Sequence, residues 1–312
     1  DLFEAEKISP QNFRITEDNP YLGGPKGKFQ ANIQAIQTLQ TLETEDRPAT
    51  PEEQTILSHY SGWGGLSKAF DPDSTEWSKE YEQLKSLLTP REYEAARSST
   101  LNAFYTPPAV IRSMYQVLSN MGFTAGNVLE PSCGTGNFFG CLPEGMDKSR
   151  LYGIELDSLT GRIAQKLYPK AQIQIDGFER TSFPNDFFDV VIGNVPFGNY
   201  QVPDRRYDRY KFPIHDYFIA KSLDQVRPGG LVAVVTSSGT LDKENPAARK
   251  YFAERADLLG AVRLSEQTFQ KTAGTDAVTD ILFLQKRDRA PIEEPSWVQL
   301  GETSDGCSIN QY

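Results

Sequence analysis

Histidine is almost missing from this chain. His59 and His215 are the only two in 312 residues, and they lie far apart. A Ser-His-Asp triad has little to draw on, and a zinc site would need an unusual ligand set. Cysteine is scarce as well. Cys133, Cys141 and Cys307 are odd in number and form no C-x-x-C pair, which points away from a disulfide framework and towards a reducing cytoplasm. The longest apolar run, LVAVV at 231–235, is far too short to cross a bilayer. No secretory signal opens the chain, and its start at Asp1 reads as a fragment or a processed product. A basic surplus is also lacking. Net charge is -10 and the pI is near 4.9, whereas a protein whose whole task is to coat nucleic acid is usually basic. That balance argues against simple DNA binding and leaves room for an enzyme with a local basic groove.

What is present divides at about residue 99. Residues 1–27 read as irregular, with the turn-rich DNPYLGGPKGK. Ile33, Ile36, Leu39 and Leu42 then recur on one helical face. Thr50, Pro51 and Glu53 make a helix start with a capping box, and Thr89, Pro90 and Glu92 repeat it. GWGG at 62–65 interrupts the helices. Residues 1–98 are therefore expected to be mainly helical. Over 99–290, apolar segments (NVLEPS, LYGIEL, AQIQID, FDVVIGN, GGLVAVVTS, LLGAVRLS, TDILFLQK) alternate with helical ones. That alternation predicts an α/β domain with a mostly parallel sheet and helices on both faces. Residues 291–312 read as a polar tail or linker.

NVLEPSCGTGNFF places a strand, Glu130 and a glycine turn (Gly134, Gly136) ahead of a helix start. Such a turn lets a ligand approach the backbone closely, although a plain strand-to-helix turn also uses glycine. The next strand adds weight: LYGIELD ends in Glu155, about twenty residues on, where an acid can accept both ribose hydroxyls. Phe139 replaces the third glycine of a dinucleotide fingerprint, and Glu130 would be costly beside a pyrophosphate. Facing an α-amino group it would be favourable. A ligand with an amino acid at one end and a nucleoside at the other is S-adenosylmethionine.

EPSCGTGNF, YGIELD and VIGNVPFG, with NAFYTPPAVIRSMYQVL ahead of them, resemble motifs I, II, IV and X of the DNA adenine-N6 methyltransferases in the γ motif order. HDYFIAKSLDQVRPGGLVAVVTS and SEQTFQKTAGTDAVTDILFLQK resemble motifs V, VI and VIII. RPATPEEQTILSHYSGWGGL together with IGNVPFG is similar to the methylase portion of large methylase-helicase fusions of phages, plasmids and conjugative elements. The resemblance implies a Rossmann-like S-adenosylmethionine-dependent fold with a seven-stranded sheet, DNA as partner, and further domains on a longer chain, a helicase among them. It implies no metal and no membrane.

Carried onto this sequence, the resemblance gives Thr106 and Glu130 the methionine end of the cofactor. Ser132, Cys133, Gly134 and Gly136 form the turn. Glu155 takes the ribose and Leu156 lies against the adenine. Asp176, followed by Gly177 and Phe178, accepts from the adenine amino group, and Phe218 packs on its ring. Asn194, Val195, Pro196 and Phe197 make the catalytic tetrapeptide, with valine where many relatives have proline. The Asn194 side-chain oxygen and the Val195 carbonyl would accept the target's N–H groups, which helps localise the nitrogen lone pair and stabilises the developing positive charge. Valine retains that carbonyl and, before Pro196, is held extended. Phe197 would stack on a flipped-out base. Phe269 is either a second aromatic contact or a core residue. Arg205, Arg206, Arg209 and Lys211, with Tyr207 and Tyr210 interleaved, could meet phosphates and bases or form a solvated loop.

Three functions stay open at this point: a DNA adenine-N6 methyltransferase, a methyltransferase for another amino group (protein glutamine or RNA guanine N2), or a non-catalytic cofactor- or DNA-binding module. Motif X before motif I and the helical front favour the first.

Overall fold

The computed structural model describes residues 10–16, 23–100, 105–265 and 278–312. The front is helical: α1 (Pro25–Thr44), α2 (Pro51–Ser58), α3 (Ser78–Leu87) and α4 (Pro90–Ser99). Both capping boxes form. Thr50 accepts from Glu53 N and Glu53 accepts from Thr50 N; Thr89 and Glu92 do the same, each with proline in the first turn. Arg47 clamps the first box through Glu53 Oε1 at 2.6 Å and holds that carboxyl down to about 2.

The second part opens with α5 (Pro108–Asn120) and continues as β1 (Asn127–Glu130), α6 (Asn137–Gly140), β2 (Arg150–Glu155), α7 (Ser158–Leu167), β3 (Gln172–Ile175), β4 (Phe188–Asn194), α8 (Ile214–Gln225), β5 (Val226–Ser237), α9 (Gly239–Asp242), α10 (Ala247–Ala253), β6 (Ala256–Leu264) and β7 (Thr279–Lys286). These strands make one seven-stranded sheet in the order β3-β2-β1-β4-β5-β7-β6. All pairings are parallel except those of β7 with β5 and β6. The order reverses between β1 and β4, the switch point at which open α/β sheets bind ligands.

Central strands are apolar on both sides because helices cover both faces. Val128, Val190, Ile192, Ala233 and Val235 join one core with α5, α7 and the helical front. Leu129, Val191, Val232 and Val234 join the other with α8 and α10. The front therefore shares its core with the sheet. It grips α7 directly: Arg162 pairs with Glu43 at 2.9 Å, Lys166 donates to Arg47 O at 2.9 Å, and Gln54 donates to Leu167 O at 3.2 Å.

Residues 291–312, expected as a tail or linker, instead fold back as a hairpin of β8 (Leu300–Glu302) and β9 (Ser308–Asn310). Trp297 and Val298 are buried in the second core. The buried Arg249 donates to Val298 O at 2.7 Å, and Asn310 Nδ2 donates to Leu241 O and Trp297 O at 3.0 and 2.8 Å. The polar composition concealed one anchoring tryptophan and the partners waiting for it. Among the described residues no helix is long and apolar enough to cross a membrane.

Candidate active site

Three neighbouring strands end in the three polar residues that matter most. Glu130 closes β1, Glu155 closes β2 and Asn194 closes β4, so all three emerge at the switch point. Past β1 the chain turns through Gly134 (φ 55°) and Gly136 (φ 84°), both left-handed. A Cβ on Gly136 would lie 2.5 Å from the Tyr168 ring, so the turn cannot carry a side chain there. The turn is tied to β2 through Cys133 N, which donates to Ile154 O at 2.8 Å.

Glu155 sits beneath that turn. Its Oε2 accepts from Gly134 N at 2.8 Å and its Oε1 from Asp157 N at 2.8 Å. Burial, the largest effect, outweighs these bonds and pushes its carboxyl up to about 7. Glu130 is 2% exposed, and its Oε2 has no hydrogen-bond partner among the described residues. Burial, then the charge of Glu155, raises its pKa well above the usual range. Thr106 Oγ1 is likewise buried without a partner. Orphaned buried oxygens are costly unless something satisfies them.

Leu156, one residue beyond Glu155, is 71% exposed, an apolar surface at the rim of the site. Asp176 follows β3, but its carboxylate turns to its own neighbours, accepting from Gly177 N at 2.8 Å and from Arg180 Nε. Phe178 and Phe218 pack on each other with ring centroids 4.9 Å apart, both buried. Lys221 caps Phe178 O at 2.7 Å.

At the end of β4, Ser132 Oγ donates to Asn194 O at 2.7 Å. Val195 N donates to Val235 O at 3.1 Å, carrying the β4–β5 ladder one residue past Asn194. Val195 is 2% exposed. Phe197 is half-buried where the two cores meet.

The basic stretch does not stay beside this tetrapeptide. Its two ends meet where Ile214 N donates to Tyr200 O at 2.9 Å. Between them the loop runs along α8 to its far end. Asp204 accepts from Tyr217 and Lys221, and Tyr207 OH reaches Asp224 at 2.7 Å. Ten residues of helix separate Ile214 from Asp224, about 15 Å. Arg206 is held there by Asn185 and Asp224, at 3.0 and 3.2 Å. Tyr207 is buried; Tyr210 is half-buried, stacked on Phe212 with centroids 5.1 Å apart and with the Arg209 guanidinium 4.7 Å from its own centroid. Arg205, Arg209 and Lys211 remain exposed. Phe269 lies outside the described residues. Sequence reading missed Tyr105, whose ring lies 3.4 Å from where a Gly134 Cβ would be, and Asp157, the N-cap of α7. The aromatic beside Thr106 and the D-S-L-T cap pattern were the available signals.

The N-6 DNA methylase family model matches residues 79–304, most of the chain. The chain belongs to the N-6 DNA methylase family. It is 31% identical over 263 residues to the "Defense against restriction protein B" of Escherichia phage P1, covering 82% of this chain and 10% of that protein. It is 26% identical to the type I restriction enzyme EcoEI methylase subunit of Escherichia coli, covering 59% of this chain and 42% of that one. The chain thus spans a minor part of both relatives. A Listeria monocytogenes structure described as a class I S-adenosylmethionine-dependent methyltransferase superposes with a TM-score of 0.52 at 19% identity, over 85% of this chain and 91% of that one. At that identity the likeness shows the fold. S-adenosylmethionine is the cofactor of this family, and the site fits it. An α-ammonium group would satisfy the orphaned Glu130, and a carboxylate the Thr106 hydroxyl. Among the described residues no three His, Cys, Asp or Glu side chains converge as metal ligands.

Proposed function

We propose that this chain transfers the methyl group of S-adenosylmethionine to the exocyclic N6 of an adenine in DNA, with Asn194 and Val195 as the catalytic acceptors. The observation that carries the reading is the β4 terminus. Asn194 stands beside the glycine turn, and the peptide unit that joins it to Val195 is held at both its polar ends, by Ser132 on Asn194 O and by Val235 on Val195 N. The cofactor, when bound, supplies an electrophilic methyl group. Glu130 and Thr106 bind its methionine end, Glu155 its ribose, and Leu156 covers its adenine. Asp176 would have to leave Arg180 to reach the adenine amino group. Asn194 Oδ1 and Val195 O accept the two N–H groups of the target, drawing its lone pair out of conjugation and stabilising the charge that builds on nitrogen. As the N–CH3 bond forms, the S–CH3 bond would break with its electron pair left on sulfur as a neutral thioether, and the nitrogen would then release one N–H proton to water and return to neutrality. Phe197 stacks on the base once it is out of the helix.

The chain would work in the cytoplasm as the methylase segment of a longer protein, a reading supported by the small share of the phage P1 relative that it spans. The helicase implied by the resemblance would lie on that longer chain. Incubation with S-adenosylmethionine and unmethylated duplex DNA, RNA or protein extract, followed by mass spectrometry of the digests, tests the assignment. N6-methyladenine from DNA is expected. Methylated glutamine or guanine, without methylated adenine, would contradict it.

A further inference from the structure

The glycine turn leans on a residue that the reaction has not used. Tyr168, the C-cap of α7, is 1% exposed. Its ring fills the space where a Cβ on Gly136 would stand, 2.5 Å away, and its hydroxyl lies 2.6 Å from where a Cβ on Gly140 would be. Gly136 is the N-cap of α6 and Gly140 its last residue, and Gly140 N donates to Gly136 O at 3.0 Å. One tyrosine therefore lies along both ends of α6. Phe139, between those glycines, meets it edge-on with centroids 5.7 Å apart.

The N-terminal segment ties Tyr168 to α6. Phe13 N donates to Leu167 O at 2.8 Å, next to Tyr168, and Ile15 N donates to Gly140 O at 2.9 Å. The Ile15 side chain lies 2.7 Å from the same Gly140 Cβ position that the Tyr168 hydroxyl approaches. The segment is itself anchored: Gln54 donates to Gln11 O at 2.8 Å, Lys170 N to Asn12 Oδ1 at 2.9 Å and Arg112 to Ile15 O at 3.0 Å. A stretch far ahead of the glycine turn in the chain thus joins the ends of α6 and α7.

The turn cannot stiffen itself. A four-residue helix is too short to stand alone, and glycine has the most backbone freedom to lose. A turn that its ligand must order binds more weakly than one already in place. We propose that Tyr168 is a positioning residue for cofactor binding: seated by Phe13 and Ile15, its ring holds Gly136 and α6 in the arrangement that receives S-adenosylmethionine. The inference rests on the glycine turn and Glu155 carrying the cofactor.

The test is calorimetric and independent of turnover. Kd for S-adenosylmethionine is measured for each protein well below its own Tm. Tyr168→Leu should weaken binding at least about tenfold, the scale of having to order one backbone residue on binding. Tyr168→Phe, which keeps the ring, should stay within about twofold of wild type. Gly140→Ala is a milder probe should Tyr168→Leu fail to fold. Its methyl group meets the Tyr168 hydroxyl, so it should weaken binding about fivefold, and adding Tyr168→Phe should recover most of that loss. Val298→Ala, in the second core, should lower Tm and leave Kd unchanged. Wild-type affinity in folded Tyr168→Leu or Gly140→Ala would overturn the proposal. So would a loss of affinity in Val298→Ala, which would make the effect one of stability alone. Glu155→Ala keeps the two questions apart. It should lose affinity whatever Tyr168 does, and wild-type binding by that variant would remove the reading on which the proposal rests.

Discussion

The Ser132 hydroxyl donates to the backbone carbonyl of Asn194 at 2.7 Å. A residue of the glycine turn is thereby tied to the end of β4, the strand proposed to carry the catalytic acceptors. Ser132→Ala should leave the cofactor Kd within about twofold and lower kcat about tenfold, because the bond acts on orientation more than on cofactor contact. Single-turnover kinetics beside calorimetry would check this. A lower cofactor affinity at unchanged kcat would place Ser132 with the ligand contacts instead.

Val195 does by hydrogen bonding what proline does by its ring. Its N–H donates to Val235 O at 3.1 Å, a bond that proline cannot make. Val195→Pro keeps the acceptor carbonyl but breaks the ladder. It should lose about 1 kcal/mol of stability and retain methyl transfer within about fivefold. Denaturant unfolding and a transfer assay read the two effects separately.

Cofactor affinity should depend on pH through the two acids. In the ligand-free protein burial raises Glu130 well above its ordinary range and Glu155 to about 7. An ammonium facing Glu130 and hydroxyls donating to Glu155 favour their charged forms, so both pKa values fall on binding. Binding then releases protons, and affinity rises with pH from about 6 to about 8 by linkage. Calorimetry in buffers of different ionisation enthalpy would show proton release near pH 6.5, and Glu155→Gln should reduce it.

The loop along α8 gives a contrast between two cations. Arg206 sits at the far end of the helix with Asp224, whereas Lys211 is exposed where the loop returns towards Ile214. Arg206→Ala should leave DNA affinity unchanged and, since Arg206 is half-exposed and the buried Asp224 keeps Tyr207, Tyr251 and Arg255 as partners, cost at most about 1 kcal/mol of stability. Lys211→Ala should reduce the salt dependence of DNA binding by about one unit of slope. Equal effects of the two on DNA binding would show that the loop reaches DNA along its whole length.

Local signals in the sequence were legible because local physics decides them. Thr50 with Glu53 and Thr89 with Glu92 mark helix starts within four residues. Glu130, Glu155 and Asn194 each end an apolar run, so the mostly parallel sheet followed from the pattern, whereas the roles expected of these residues came from the family resemblance. What escaped reading depends on distant partners. Tyr207 could be read as a base-stacking member of a basic run until Asp224 claimed its hydroxyl. Trp297 looked like part of a tail until α10 supplied Arg249 for the carbonyl next to it.

The most direct measurement compares wild type and Asn194→Ala with labelled S-adenosylmethionine and unmethylated duplex DNA, with cofactor Kd determined for both. The account predicts equal cofactor affinity, N6-methyladenine formed by wild type, and a loss of at least about a hundredfold in the variant, the scale of removing one preorganised transition-state contact. N6-methyladenine formed at the same rate by Asn194→Ala would contradict it.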